Sequence, residues 1–223
     1  MQHNKIIVFI ILFVNYSLSS QNNINFTNQL PEFQRIVTDI SKGKSKKNIE
    51  IDGNKYFFKK NSEAKIFLRG DNKSITAPVN YNYVDQVFEM VNRDMILELD
   101  PSKISGVEFE NDFFTVYKGT FYKLITENDN FSVLKFISVV LVKPDYVPGI
   151  EDKPNLRYRR DDQMFILKDD KLRKFKLNKK VVISLFKNND GEIKKFIKNN
   201  KISLRDDAEL KKLFDTFKNN LNR

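Results

Sequence analysis

From Ile49 onward, apolar residues recur at every second position in short runs. Each run is closed by a brief stretch rich in Asn, Asp, Gly or Pro. Alternation with a period of two places the apolar set on one face of an extended chain. Connections this short join only antiparallel neighbours, because a parallel pair needs a crossover of about a dozen residues or more. The pattern therefore rules out a βαβ architecture for the body of the chain and predicts an antiparallel meander. The predicted strands are Ala64 to Arg69, Ile75 to Tyr83, Val87 to Val91, Met95 to Leu99, Ile104 to Phe109, Phe113 to Tyr117 and Phe121 to Thr126. Asp52-Gly53, Gly70-Asp71-Asn72-Lys73, Asn92-Arg93-Asp94, Asp100-Pro101-Ser102, Asn111-Asp112 and Asn128-Asp129-Asn130 supply the turns. Pro78 fits an edge or a bulge. Phe131 to Val142 is the longest apolar run. Its Val, Ile and Phe content marks it as one central strand rather than a helix.

The period changes at both ends. Pro31 to Lys42 puts Phe33, Ile36, Val37 and Ile40 on one helical face, and Ser41 to Lys47 reads as a linker. Lys179 to Lys187 carries Val182, Leu185 and Phe186, and Asp190-Gly191 breaks the pattern. Ile193, Phe196 and Ile197 mark a second helix that ends at Asn199-Asn200. Leu210, Leu213, Phe214, Phe217 and Leu221 mark the last helix, with Lys211, Lys212 and Lys218 on its opposite face. Asp206 with Glu209, or Ser203 with Asp206, can form its capping box. The expected fold is mainly β: a curved or barrel-like antiparallel meander with two or three C-terminal helices packed on it. Residues 21–47 form an N-terminal segment, 48–178 the sheet domain and 179–223 the helical segment. The transmembrane β-barrel is disfavoured, since most runs are shorter than the roughly 9 to 11 residues a membrane strand needs.

Residues 1–20 read as a secretory signal peptide. Lys5 is followed by the apolar run Ile6 to Val14, then by Ser17, Ser19 and Ser20 ahead of Gln21. The run is too short for the roughly 20 apolar residues of a membrane-spanning helix, and no later stretch qualifies. Its removal takes with it His3, the only histidine of a chain that has no cysteine and no tryptophan. Ser-His-Asp and Cys-His catalysis, His-ligated zinc and thiolate metal sites then lack their residues. No cofactor is expected. Twenty phenylalanines and eight tyrosines supply the core without disulfides.

The balance of 39 basic against 29 acidic residues gives +10, one less without Lys5. An exported chain meets little nucleic acid. The excess reads first as a solubilising Lys- and Asn-rich surface, and second as attraction to anionic envelope surfaces or glycans.

Three stretches carry a family resemblance. They are Asp52-Gly53-Asn54-Lys55-Tyr56-Phe57, then Val79-Asn80-Tyr81-Asn82-Tyr83 with Asp85 and Glu89, and last Glu192 through Ile202 followed by an acidic cap and a leucine-rich helix. Together they resemble a flavobacterial-type family of secreted Bacteroidota proteins. At the C-terminus Phe217 and Lys218 stand where that family has tyrosines. The resemblance implies an exported, strand-rich body with a helical tail, and it implies no catalytic residues.

Other motifs lack their context. Ser-x-x-Lys occurs at Ser41/Lys44, Ser62/Lys65, Ser132/Lys135 and Ser184/Lys187, without the elements that accompany it in penicillin-interacting enzymes. Asn188, Asp190 and Gly191 resemble the middle of a calcium loop, but Phe186 and Ile197 occupy ligand positions. Glu108 with Glu110, and Glu98 with Asp100, are same-face pairs that a glycoside hydrolase would need. They read first as decoration of a solvated sheet, since a chain with this many acids produces such pairs without catalysis.

The segment most like a site is Lys143 to Asp162. Its Pro144, Pro148, Gly149 and Pro154 predict a long irregular loop, and it gathers Tyr146, Arg157, Tyr158, Arg159 and Arg160. Arginine and tyrosine are enriched where proteins meet partners and anions. These five residues are the expected partner-binding site of a non-enzymatic exported protein, periplasmic or associated with the outer membrane. Its expected partner is an envelope protein, or an anionic envelope surface or glycan. A lipid or lipoprotein carrier and a carboxylate-dependent glycan hydrolase are the alternatives.

Overall fold

The computed structural model describes residues 22–25, 30–44, 51–92, 95–150, 154–186 and 190–221. The predicted signal peptide, Asn48 to Glu50 and Lys187 to Asn189 lie outside them.

The strands are β1 (Asn22–Asn25), β2 (Ser41–Lys44), β3 (Ser62–Leu68), β4 (Lys73–Asn82), β5 (Val87–Asn92), β6 (Met95–Leu99) and β7 (Ile104–Glu108). They continue with β8 (Phe113–Tyr117), β9 (Thr120–Asn128), β10 (Phe131–Phe136), β11 (Val139–Val142), β12 (Arg157–Arg160), β13 (Gln163–Lys168) and β14 (Lys171–Phe175). Among the described residues the α-helices are α1 (Leu30–Ile40), α2 (Lys179–Ser184), α3 (Asp190–Asn199) and α4 (Asp207–Thr216). The main sheet runs β14-β13-β10-β9-β8-β7-β3-β4-β5-β6-β2, antiparallel throughout, and β1 adds parallel to β4. β11 and β12 form a separate two-stranded sheet.

The sheet is curved without closing, and one turn shows why it must be. β6 and β7 are joined by Asp100-Pro101-Ser102-Lys103, where Lys103 N donates to Asp100 O at 3.0 Å. Asp100 Oδ1 accepts from Ser102 N at 2.9 Å and from its hydroxyl at 2.7 Å. A tight turn of this kind holds its ends within about 7 Å, yet β5, β4 and β3 lie between the strands it joins. In a flat sheet those strands would stand about 19 Å apart. Curling brings them together and fills the inside with rings. Phe88 of β5 meets Phe121 of β9 at 5.0 Å between centroids, and touches Tyr81, Phe109 and Phe114 as well. Ile36, Val37 and Ile40 of α1 join this core. Phe33 lies outside the residues whose side chains are described.

A second core lies between β9, β10, β13 and β14 and the C-terminal helices. It is built from Ile125, Phe131, Val133, Met164, Ile166 and Phe175 with Val182, Ile193, Leu210, Leu213 and Phe214. Asp206 caps α4, accepting from Ala208 N and Glu209 N. The return bond of the predicted box goes elsewhere, because Ser203 N donates to Glu209 Oε2.

Local physics explains the departures from the sequence reading. Ser41 to Lys44 is no linker but an edge strand on β6. The predicted single strand Phe131 to Val142 is two, because after Phe136 the chain leaves the main sheet and β11 pairs with β12 instead. Among the described residues Asp52-Gly53 closes no hairpin; Asp52 instead bonds the chain at the start of β12, its N–H donating to Leu156 O and its carbonyl accepting from Tyr158 N. Pro78 falls in the gap on the edge of β4 where β1 has stopped and β5 has not begun, so its missing N–H interrupts neither pairing.

Gly106 of β7 is covered by the Phe113 ring. A Cβ built there would stand 2.5 Å from Phe113 Cζ and 3.1 Å from the Phe114 carbonyl oxygen. The ring can swing aside, but the carbonyl belongs to the ladder. Gly106→Ala is expected to lower stability by about 1–3 kcal/mol, read as a reduced urea midpoint at unchanged m-value.

Candidate interaction site

Four of the five residues singled out in the sequence lie on a strand rather than on an irregular loop, while Tyr146 lies in the irregular connection as expected. Arg157 to Arg160 form β12, paired with β11 so that Arg159 faces Val140 and Arg157 faces Val142. The two strands and the connection between them make a hairpin beside the main sheet.

Alternation splits the four strand residues between two faces. Arg160 is an anchor. Its guanidinium lies over the Tyr83 ring, 4.4 Å from the centroid, donates to the Tyr83 hydroxyl, and binds Asp162 through two bonds of 3.0 and 2.7 Å. Burial raises the Tyr83 hydroxyl pKa, and Arg160 opposes that shift only in part. Tyr158 is half-buried, and its backbone N–H donates to Asp52 O at 3.0 Å. Arg157 and Arg159 are exposed, and among the described residues neither has an ion-pairing carboxylate. Tyr146 is half-buried in the connection.

The anchor continues inward as a chain of charges. Asp162 stands 3.9 Å from Lys135, which reaches Asp207 at 2.8 Å; Asp207 also takes Lys123 at 2.8 Å, and Lys123 pairs with Asp112. Lys135 and Lys123 come from β10 and β9, and Asp207 opens α4. Burial works against both ions of the central pair, but their partners prevail. The Lys123 ammonium pKa is raised by Asp112 and Asp207, and the Asp207 carboxyl pKa is lowered by Lys123 and Lys135. The chain of charges ties the hairpin's root to the seam between sheet and helices. Sequence reasoning missed it because its members are far apart in the chain.

Two stretches that carried the family resemblance meet in space. The 52–57 segment lies along the end of β4: Phe57 N donates to Tyr81 O and Tyr83 N to Lys55 O. The Asn80 side chain receives Phe58 N and donates to Phe58 O, both at 3.0 Å, so it serves as a strand partner. Glu89, at 4% exposure, accepts from Tyr56 Oη at 2.8 Å and from Asn82 Nδ2 at 2.7 Å. One carboxylate oxygen each from Asp85, Glu89 and Glu98 lies within 4.8 Å of the others. An oxygen set of this kind suits a hard divalent cation.

The remaining candidates are dispersed. Glu108 and Glu110 are exposed, and Asp100 is engaged by Ser102 and Lys42. The Ser132 hydroxyl donates to Glu127 while Lys135 serves Asp207, so this Ser-x-x-Lys pair does not meet. Phe186, at a would-be calcium position, is buried in the second core. Along α4, Ala208, Lys211, Lys212, Asp215 and Thr216 line a shallow depression. There Lys211 pairs with Asp215 at 3.0 Å and Lys212 reaches Asn200. No helix among the described residues is long and apolar enough to cross a membrane. Compared with protein-family models, with curated proteins and with solved structures, the chain matches none.

Proposed function

We propose that the chain is a non-enzymatic, exported envelope protein of the Bacteroidota type it resembles, and that it binds an envelope protein or an anionic envelope component through the β11–β12 hairpin. One observation carries this reading: two exposed arginines, without an ion-pairing carboxylate among the described residues, stand on a hairpin whose root is fixed by Arg160, Tyr83 and Asp162. Holding the hairpin at its base reduces the ordering cost of binding. Arginine can then clamp a carboxylate or phosphate with two parallel bonds. The carrier reading is less well served, because the inside of the curl is occupied by Tyr81, Phe88, Phe114 and Phe121.

The test is cross-linking and co-purification from envelope extracts with the chain carrying both Arg157→Glu and Arg159→Glu. Arg160 is left in place because it holds the fold. Capture of the cross-linked component should fall at least several-fold. The folding midpoint should barely move, since exposed substitutions usually stay within about 0.5 kcal/mol. Unchanged capture by the folded double variant would move the site to the lysine face of α4.

A further inference from the structure

The main sheet ends in a strand whose outer edge is bare and whose exposed side chains are cationic. β13 and β14 are joined by the two-residue turn Asp169-Asp170, where both residues have positive φ, +50° and +53°. This is the type I′ hairpin geometry. In such a hairpin the residues flanking the turn exchange both backbone bonds, and bonded pairs alternate from there. Lys171, Arg173 and Phe175 therefore bond to Lys168, Ile166 and Met164. Leu172 and Lys174, between them, aim their N–H and C=O groups away from β13. β14 is the last strand of the sheet on this side, and those four groups have no hydrogen-bond partner among the described residues.

Charge is concentrated along the same edge. Residues 163–223 hold 17 basic against 8 acidic side chains, whereas residues 1–162 hold 22 against 21, so the excess belongs to this end of the chain. From Lys168 to Lys180, seven cations stand against Asp169 and Asp170, and Asp170 is already paired with Lys118 at 3.5 Å. None of the seven pairs with a carboxylate among the described residues. Lys171, Arg173 and Lys174 are exposed, and Leu172 is half-buried. Lys171 and Arg173 share one face and Leu172 and Lys174 the other, so an added strand would meet positive charge on both faces.

Alternating N–H and C=O groups at strand spacing are matched by another peptide backbone, whereas a phosphodiester backbone offers acceptors only. The cations decide which peptide: they repel a second β14 or any basic strand, and they favour carboxylates placed opposite. We infer that β14 receives an extended acidic segment of a partner protein as an added edge strand, with carboxylates facing Lys171, Arg173 and Lys174. The surface lies on a different strand from the hairpin proposed above, and it holds or fails independently of that reading.

The experiment titrates the full chain into a fluorescent peptide of alternating glutamate and valine, about six residues long, the usual length of a strand. Binding is read by anisotropy, and amide hydrogen exchange of the protein is followed alongside. The peptide should bind, lose affinity as salt rises, and slow exchange at the Leu172 and Lys174 amides. The same peptide N-methylated at every residue keeps its charge and loses its donors, and should bind about tenfold more weakly or worse. The double variant Arg173→Gln, Lys174→Gln should fold as the wild type does and bind the acidic peptide about threefold to tenfold more weakly. Should that variant fail to fold, the methylated peptide and the exchange measurement decide, since both use the wild type. Absence of binding would mean that the cations only guard the edge, and would overturn the inference. Equal binding of the methylated peptide, unchanged exchange at Leu172 and Lys174, or wild-type affinity in the folded double variant would overturn it as well. If single-stranded DNA displaces the peptide and binds more tightly, the edge serves a polyanion instead and the inference falls.

Discussion

Phe88→Ala is expected to lower the free energy of unfolding by about 3–5 kcal/mol, the largest single effect in the molecule. Phe88 is fully buried and meets four other rings, three of them from strands beyond β4 or from the connection after β7. Its truncation removes the transfer energy of the ring. It also leaves a cavity that the curled sheet cannot collapse without moving β9 toward β5. The measurement is urea unfolding followed by tyrosine fluorescence, and a loss below about 1 kcal/mol would mean that the curl is not held by this cluster. Phe88→Leu should cost clearly less, since it retains most of the volume.

Asp207→Ala is expected to cost about 2–4 kcal/mol, because it leaves Lys123 and Lys135 facing each other without the carboxylate they share. The upper part of the range for fully buried pairs is not reached, as Asp207 keeps 27% side-chain exposure. The same network sets a pH window. The carboxyl pKa of Asp207 is lowered in the fold, so its contribution is present above the ordinary carboxylate range and is lost as pH falls through the depressed value. The Lys123 pKa is raised, so its contribution is present below the ordinary lysine range and is lost as pH rises through the elevated value. Stability should therefore be flat through neutrality and fall at both extremes. In the Asp207→Ala variant the acid limb should be shallower. An acid limb identical to wild type would remove Asp207 from the account.

The antiparallel body was legible because its cause is local: alternation and turn chemistry act over a few residues. Asp100-Pro101-Ser102 was read as a turn and is one. That it forces three strands to curl was not legible, because the insertion of β3 between β7 and β4 is a long-range pairing with no local mark. The end of β10 was missed for a related reason. Phe136, Ile137 and Val139 continue the apolar run, and only β13 taking the free edge of β10 sends the chain elsewhere. The arginines singled out in the sequence fall together on one strand. Alternation along β12 then divides them, and that division could be read only once the segment was known to be a strand rather than a loop. Proline count argued for a loop, and the prolines do stay outside Arg157 to Arg160.

The long-range pairing of β7 with β3 also bears on how the chain reaches its fold. Lys65 and its partner Glu108 are separated in the chain by all of β4, β5 and β6, so β7 must be brought back across that stretch before the two can pair. Until then β3 presents one bare edge, with Ile66 and Phe67 on it, to whatever strand arrives first. Closing this loop is one of several long-range events, with the pairings of β2 with β6 and of β1 with β4, and such events slow folding. An unpaired apolar edge held open for that time invites intermolecular pairing. The lysines flanking it, Lys65 among them, supply charge that discourages such encounters while the correct strand is still being placed.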